Sequence, residues 1–364
     1  MADNKEIRPF RIDVPQADLD ELHDRLARTR WPDEIPGSGR TYGVPVDYVR
    51  GLAEHWSKRF DWRALESKIN AYPQFTTEID GQNIHFLHVR STNPDALPLI
   101  LTHGWPGSIV EYLDVIEPLR SDFHLVIPSI PGFGFSGPTT EPGWNRYRVA
   151  AAWKELMARL GYARYGAVGN DGGSMISPEL GRLDPEHVAG VHVTQIFSFP
   201  SGDPAELADL TEEETAALAH LQWFWENLGA FNQLQAQQPQ TLSFALADSP
   251  AGLLGWNAQL LGEDVDPDFV LANVAIYWLT GTSGSSIRFY YEDAHVTDPP
   301  TEPTTVPIGV AGFGNDFQSI RRFAERDHKN LIHWTRYDRG GHYAAHQAPD
   351  LLVADIRDFF AKVS

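Results

Sequence analysis

The sequence predicts an α/β fold: a mostly parallel sheet, a helical extension before it and a helical insertion late in the chain. Three observations predict it. Residues 97–102, 125–128 and 164–168 are short apolar runs, largely bounded by glycine or proline, the pattern of strands buried on both faces. Helical patterns fall between them, and strands that alternate with helices form a parallel sheet with right-handed crossovers. The rhythm stops at residue 199, gives way to Leu, Ala, Gln, Trp and Phe at helical spacing until about 302, and resumes at 305–311.

Taken in order, residues 1–75 read as a helical segment. Leu19, Leu22 and Leu26 lie at helical spacing, Trp31-Pro32 ends that helix, and further helices are expected over 46–60 and 62–69. No catalytic cluster falls there, so packing or bracing of a lid is its expected role. Period-2 strands follow at 75–79 and 84–89 around an Asp80-Gly81 turn. The run 97–102 ends in His103-Gly104-Trp105-Pro106-Gly107-Ser108. After it come the strand at 125–128, a glycine-rich loop, a helix over 147–160, the strand at 164–168, another at 188–197, and the insertion. A helix at 317–326, a last strand at 331–335 and a closing helix through Phe360 complete the pattern. The expected division is an N-terminal segment 1–75, a sheet domain 76–198 and 303–364, and a helical cap 199–302.

The strand at 164–168 runs into Gly169-Asn170-Asp171-Gly172-Gly173-Ser174, and Met175 to Leu180 reads as the opening of a helix. Small-x-nucleophile-x-small between a strand and a helix is the nucleophile elbow of α/β-hydrolases, where small residues let strand and helix pass close together. The same residues also make ordinary turn chemistry; the surrounding alternation favours the elbow. Here the central position is a carboxylate, which suits attack on a saturated carbon rather than acyl transfer.

Composition removes several classes. A formal net charge of -20 argues against nucleic acid and anionic membrane as partners. With no cysteine there is no disulfide, thiolate nucleophile or cysteine metal site. No apolar run approaches about 18 residues and the first residues lack a signal-peptide pattern, so the expectation is a soluble, cytoplasmic protein. No cofactor or metal is expected: no ligand set is evident, and Gly132-x-Gly134 lacks the third glycine of a dinucleotide fingerprint.

Functional groups of a parallel sheet gather at the carboxyl ends of its strands. Four such ends carry suitable residues: His103-Gly104-Trp105, Asp171, Asp316 and His342. The last three run in the order nucleophile, acid, histidine. Asp316 also suits the start of the following helix, where an acid complements the dipole. Attack by Asp171 on a strained or activated saturated carbon would leave an ester. Its hydrolysis needs water deprotonated by His342, with Asp316 orienting the imidazole. The oxyanion needs fixed donors, expected from the backbone of Gly172 and Trp105. Ring opening also needs an acid, expected from a tyrosine of the cap.

With these residues in place, nearly the whole chain resembles the microsomal-type epoxide hydrolase family. The resemblance rests on Arg30-Trp31-Pro32, on His103-Gly104-Trp105-Pro106-Gly107-Ser108, on the cap segments 247–253 and 273–282, on Arg288-Phe289-Tyr290, and on Gly340-Gly341-His342-Tyr343-Ala344-Ala345. It implies the α/β-hydrolase fold, a ring-opening role for Tyr290 rather than Tyr291, and Asp316 as the acid. Two departures stand out. Gly172 follows the nucleophile where many relatives have Trp, and Phe231 stands where the family has a second cap tyrosine. The expected pocket includes His103, Pro106, Trp223, Phe231, Asn232 and Trp256. The expected partners are a small-molecule epoxide, apolar or aromatic, and water, with a homodimer as the assembly considered.

Two other readings remain open at this stage. A haloalkane dehalogenase shares the nucleophile and the His–acid pair but needs halide donors, and Gly172 counts against it. A protein that binds an apolar ligand or templates a rearrangement would be consistent with Phe231.

Overall fold

The computed structural model describes residues 5–363. Among the described residues nine strands form one sheet in the order β1-β2-β3-β5-β4-β6-β7-β8-β9. They are β1 (Arg8–Phe10), β2 (Gln74–Ile79), β3 (Gln82–Val89), β4 (Leu97–Thr102), β5 (Phe123–Pro128), β6 (Tyr165–Gly169), β7 (Val188–Val193), β8 (Ile308–Asn315) and β9 (Leu331–Gly341). From β5 to β9 every neighbouring pair is parallel, whereas β1, β2 and β3 join antiparallel at one edge. The apolar runs read from the sequence are β4, β5 and β6. Leu99, Ile100 and Leu101 of β4 are fully buried, as are Leu125, Val126 and Ile127 of β5, which agrees with strands covered on both faces.

The N-terminal segment forms three helices, α1 (Gln16–Ala27), α2 (Val46–Lys58) and α3 (Trp62–Asn70). The segment is not wholly helical: Arg8–Phe10 adds a strand at the sheet edge through Pro9 opposite Phe75. Three residues give no periodicity to read, and the partner lies more than sixty residues away. Between β3 and β7 the helices are α4 (Leu113–Leu119), α5 (Arg146–Arg159) and α6 (Gly172–Leu183).

Between β7 and β8, among the described residues, come α7 (Glu212–Asn227), α8 (Ala230–Gln237), α9 (Pro239–Asp248), α10 (Pro250–Leu261), α11 (Pro267–Leu279), α12 (Ser283–Ser286) and α13 (Arg288–Ala294), with no strand. The N-terminal helices tie into this insertion. The Arg25 guanidinium donates to the Asp248 carbonyl at 2.7 Å, the Tyr48 hydroxyl donates to the Gly262 carbonyl at 3.0 Å, and His55 Nε2 lies 2.6 Å from Asp268 Oδ1.

Toward the C-terminus come α14 (Arg321–Asp327), α15 (Ala344–Gln347) and α16 (Pro349–Val363). Two boundaries differ from those the sequence suggests. The strand expected at 331–335 runs on to Gly341, because β9 keeps pairing with β8 through Phe313 and Asn315 across a register shift. The helix expected from 317 begins only at Arg321. Among the described residues no helix is long and apolar enough to cross a membrane.

Candidate active site

Strand order determines what meets. β4, β6, β7, β8 and β9 are successive neighbours in the sheet, and the residues just past their carboxyl ends are His103–Pro106, Asp171, Gln195, Asp316 and His342. The chain order reverses at β4, with β5 on one side and β6 on the other, which opens a crevice above the strand ends.

Asp171 sits at the turn from β6 into α6 with φ 51 and ψ -117, a strained conformation for a residue with a side chain. The neighbours must be small for this turn to close. A Cβ on Gly169 would come within 2.1 Å of the Gly173 carbonyl oxygen, and one on Gly173 within 1.8 Å of the Thr102 carbonyl oxygen. Across the crevice the Trp105 N–H donates to Asp171 Oδ1 at 2.9 Å. Gly104 permits that approach, since a Cβ there would fall 2.1 Å from Asp171 Oδ1 and 2.5 Å from the Gly172 nitrogen.

His342 follows Gly340, whose φ is +84, and lies between two carboxylates. Its Nδ1 is 2.9 Å from Asp316 Oδ1 and its Nε2 is 3.7 Å from Asp171 Oδ2. Burial alone would lower the imidazole pKa. The Asp316 charge and hydrogen bond, with Asp171 and Glu111 adding to them, overcome it and raise His342 to about 9. Burial pushes the Asp316 carboxyl up, but His342 and Gln195 draw it below its ordinary value.

Gln195 joins the two halves of this arrangement. Its Oε1 accepts the Asp171 N–H at 2.9 Å and the Ser174 hydroxyl at 3.1 Å, while its amide nitrogen donates to Asn170 Oδ1 at 2.8 Å and to Asp316 Oδ2. Sequence reasoning missed it. The available signal was its position just past the end of β7, the same kind of position that carries Asp171 and His342. Ser174 is buried and also donates to the Gly169 carbonyl, so its hydroxyl is engaged inside the turn.

Above the carboxylate stands an aromatic wall. Phe231 of α8 stacks on Trp105 with ring centroids 5.9 Å apart and 11° between planes. Tyr290 of α13 meets Trp105 and Phe231 edge-on, each at 5.9 Å. Burial and the Asp171 charge hold the Tyr290 phenol well above its usual pKa, so it stays protonated. Tyr291 instead stacks on exposed His295. Arg146, at the start of α5, pairs with Asp293 and ties α13 to the sheet domain.

Not every residue expected to line a pocket does so. His103 is fully buried below the crevice: Nδ1 lies 2.9 Å from the Gly104 carbonyl, Nε2 accepts from the Ile130 N–H at 3.3 Å, and burial lowers its pKa to about 4. It shapes the loop. Trp223 is 49% exposed and stacks on His220 at the surface of α7, a helix that buries none of its residues. Trp256 donates to Gln235 Oε1 at 2.8 Å, a contact within the insertion. Pro106 is buried in the loop beside Trp105, and half-buried Asn232 follows Phe231.

Known proteins resemble this chain along nearly its whole length. Residues 7–112 match a family model described as epoxide hydrolase N terminus, and residues 98–292 match the α/β-hydrolase fold. The chain is 41% identical to a Stigmatella aurantiaca protein bearing a provisional epoxide hydrolase name, over 98% of this chain and 85% of that protein. It is 30% identical to epoxide hydrolase 1 of Sus scrofa, over 98% of this chain and 89% of that one. The solved structure of Aspergillus niger epoxide hydrolase superposes with a TM-score of 0.88 at 29% identity, covering 99% of this chain and 97% of the other.

Proposed function

This chain belongs to the epoxide hydrolase family of α/β-hydrolases, and from that premise we propose that it opens an epoxide through an ester on Asp171. The observation that carries the reading is the placement of His342 between Asp171 and Asp316, with the Trp105 N–H already on the nucleophile.

In this reading Asp171 Oδ2 attacks a ring carbon while Oδ1 stays with the Trp105 N–H. The carbon–oxygen bond of the ring breaks, and the departing oxygen takes the Tyr290 proton. Phe231 has no hydroxyl to offer, so Tyr290 is the acid. Forming the ester removes the negative charge of Asp171 and one of the interactions that keep His342 protonated. His342 can then release its proton, by way of solvent, to the Tyr290 phenolate. The neutral imidazole takes a proton from water as the oxygen adds to the Asp171 carbonyl carbon. Trp105 N–H, with Gly172 N–H beside it, supports the oxyanion. Collapse breaks the bond to Oδ2, the leaving alkoxide takes the imidazolium proton, and the new Asp171 carboxyl returns its own proton to His342. Epoxide and water have become a vicinal diol.

The wall of Trp105, Phe231 and Tyr290 supports an apolar or aromatic epoxide as substrate. Residues 199–302, which carry Phe231 and Tyr290, are read as the cap.

A single turnover with excess enzyme and styrene oxide in ¹⁸O-water tests the reading. The first diol is expected to carry an unlabelled oxygen from Asp171, and Asp171→Asn to be inactive. Label appearing directly in the first diol overturns the nucleophile.

A further inference from the structure

Glu111 lies on the turn Ile109–Tyr112 that follows the Trp105 loop, and it is 1% exposed. Among the described residues neither of its oxygens has a hydrogen-bond partner. Two other buried polar atoms lack partners in the same region, Asn170 Nδ2 and the Tyr343 hydroxyl. The three side chains converge. A Cβ added to Gly107 would lie 3.0 Å from Glu111 Oε2 and 3.6 Å from the Tyr343 ring. The Asn170 amide is close enough to Glu111 to lower its pKa without closing a hydrogen bond of ordinary geometry. Asn170 Oδ1 is already held by Thr194 and Gln195, so its amide nitrogen is the free end.

Buried polar groups are almost always partnered, and a buried water typically has two to four polar partners. Four such atoms gathered on three residues therefore suit a bound water. Each residue adjoins the chemistry: Asn170 precedes Asp171, Tyr343 follows His342, and Glu111 lies on the turn that follows the loop bringing Trp105 to Asp171. We propose that Glu111, Asn170 and Tyr343 hold the water that hydrolyses the Asp171 ester, with Glu111 as the positioning residue. The proposal rests on the ester reading above. The water would give one proton to His342 and direct the other to a Glu111 oxygen, leaving a lone pair for the Asp171 carbonyl carbon.

Burial raises Glu111 to about 8, against the pull of His342 and Asn170. At neutral pH it is a neutral acid that both donates and accepts, and it binds water without adding a second anion beside Asp171. Tyr112, Tyr277 and Tyr343 also face this group of carboxylates, and burial holds each of them protonated.

Rapid-quench mass spectrometry with styrene oxide tests the proposal on wild type, Glu111→Gln, Glu111→Leu and His342→Gln. Ester formation should stay within about threefold of wild type in both Glu111 variants. Ester hydrolysis should slow about 10-fold in Glu111→Gln, which keeps an acceptor, and about 100-fold in Glu111→Leu. The ester should therefore accumulate, with kcat and KM falling together and kcat/KM preserved. Melting temperatures should not fall. Unchanged hydrolysis in Glu111→Leu, or equal slowing of both steps, overturns the water site. An adduct absent from every protein, His342→Gln included, overturns the ester itself and the water site with it.

Discussion

Phe231 lies flat on Trp105, the residue whose N–H holds Asp171, and Tyr290 stands against both rings. A hydroxyl added at the edge of Phe231 would enter the same aromatic corner as the Tyr290 phenol. Phe231→Tyr is expected to raise kcat/KM for styrene oxide about 10-fold, and Tyr290→Phe to lower it about 100-fold or more. Steady-state kinetics on the two variants checks this. Full activity in Tyr290→Phe would remove Tyr290 from ring opening.

Gly104→Ala places a methyl where the Asp171 carboxylate and the Gly172 nitrogen already stand. The loop must move away and take the Trp105 N–H with it. A displacement near 1 Å costs on the order of 100-fold in rate. Ester formation should fall by about that factor while far-UV circular dichroism stays unchanged; a variant of wild-type rate would show that the close approach is dispensable.

The site should make stability depend on pH. Folded Glu111 and His342 both titrate above their ordinary values of 4.5 and 6.5. The stability each contributes is whole below its unfolded pKa and is lost as pH rises through about 8 and 9 respectively. Melting temperature should therefore drop between about pH 4.5 and pH 9, and the combined variant Glu111→Gln/His342→Gln should flatten that slope. An equal slope in the variant would place the loss elsewhere in the chain.

A second carboxylate serves structure. Asp355 of α16 accepts from the Tyr337 hydroxyl at 2.7 Å and lies 2.7 Å from His192 Nε2 and 2.8 Å from His333 Nε2. Burial raises its pKa, but His192 and Tyr337 bring it well below the usual carboxylate range. Removing one partner from such a network costs about 3 kcal/mol. Asp355→Leu should lose roughly that much in urea unfolding, with kcat of the folded fraction unchanged; a selective fall in kcat would tie this network to the site.

The sequence made the local part of the site legible and left the long-range part hidden. Asp171 announces itself because the elbow is a contiguous motif, and Gly340-Gly341 mark His342 in the same way. Gln195 and Glu111 have no such signature. Their significance comes from atoms brought near them from other strands, and a lone Gln or Glu at a strand end or turn reads as any polar residue. The aromatic residues show the limit of composition: Phe231 and Trp223 lie eight positions apart on adjacent helices, yet one covers Asp171's loop and the other faces water. No residue of α7 is fully buried, and its half-buried stripe runs through Leu218, Leu221 and Phe224, which leaves Trp223 on the outer side. Of the fold, the runs buried on both faces were plain, whereas β1 was too short to show.

Tyr290 belongs to the insertion between β7 and β8, while the carboxylates and His342 belong to the sheet. On the proposed mechanism, recombination within this family would therefore move the proton donor together with the aromatic wall. A grafted insertion would then bring its own acid, and the recipient would keep its own nucleophile. The seam of such a chimera runs through Trp105, where a ring from the incoming piece must stack, and through Arg146, where an incoming carboxylate must replace Asp293. Those two contacts are the compatibility rule that a working hybrid has to satisfy.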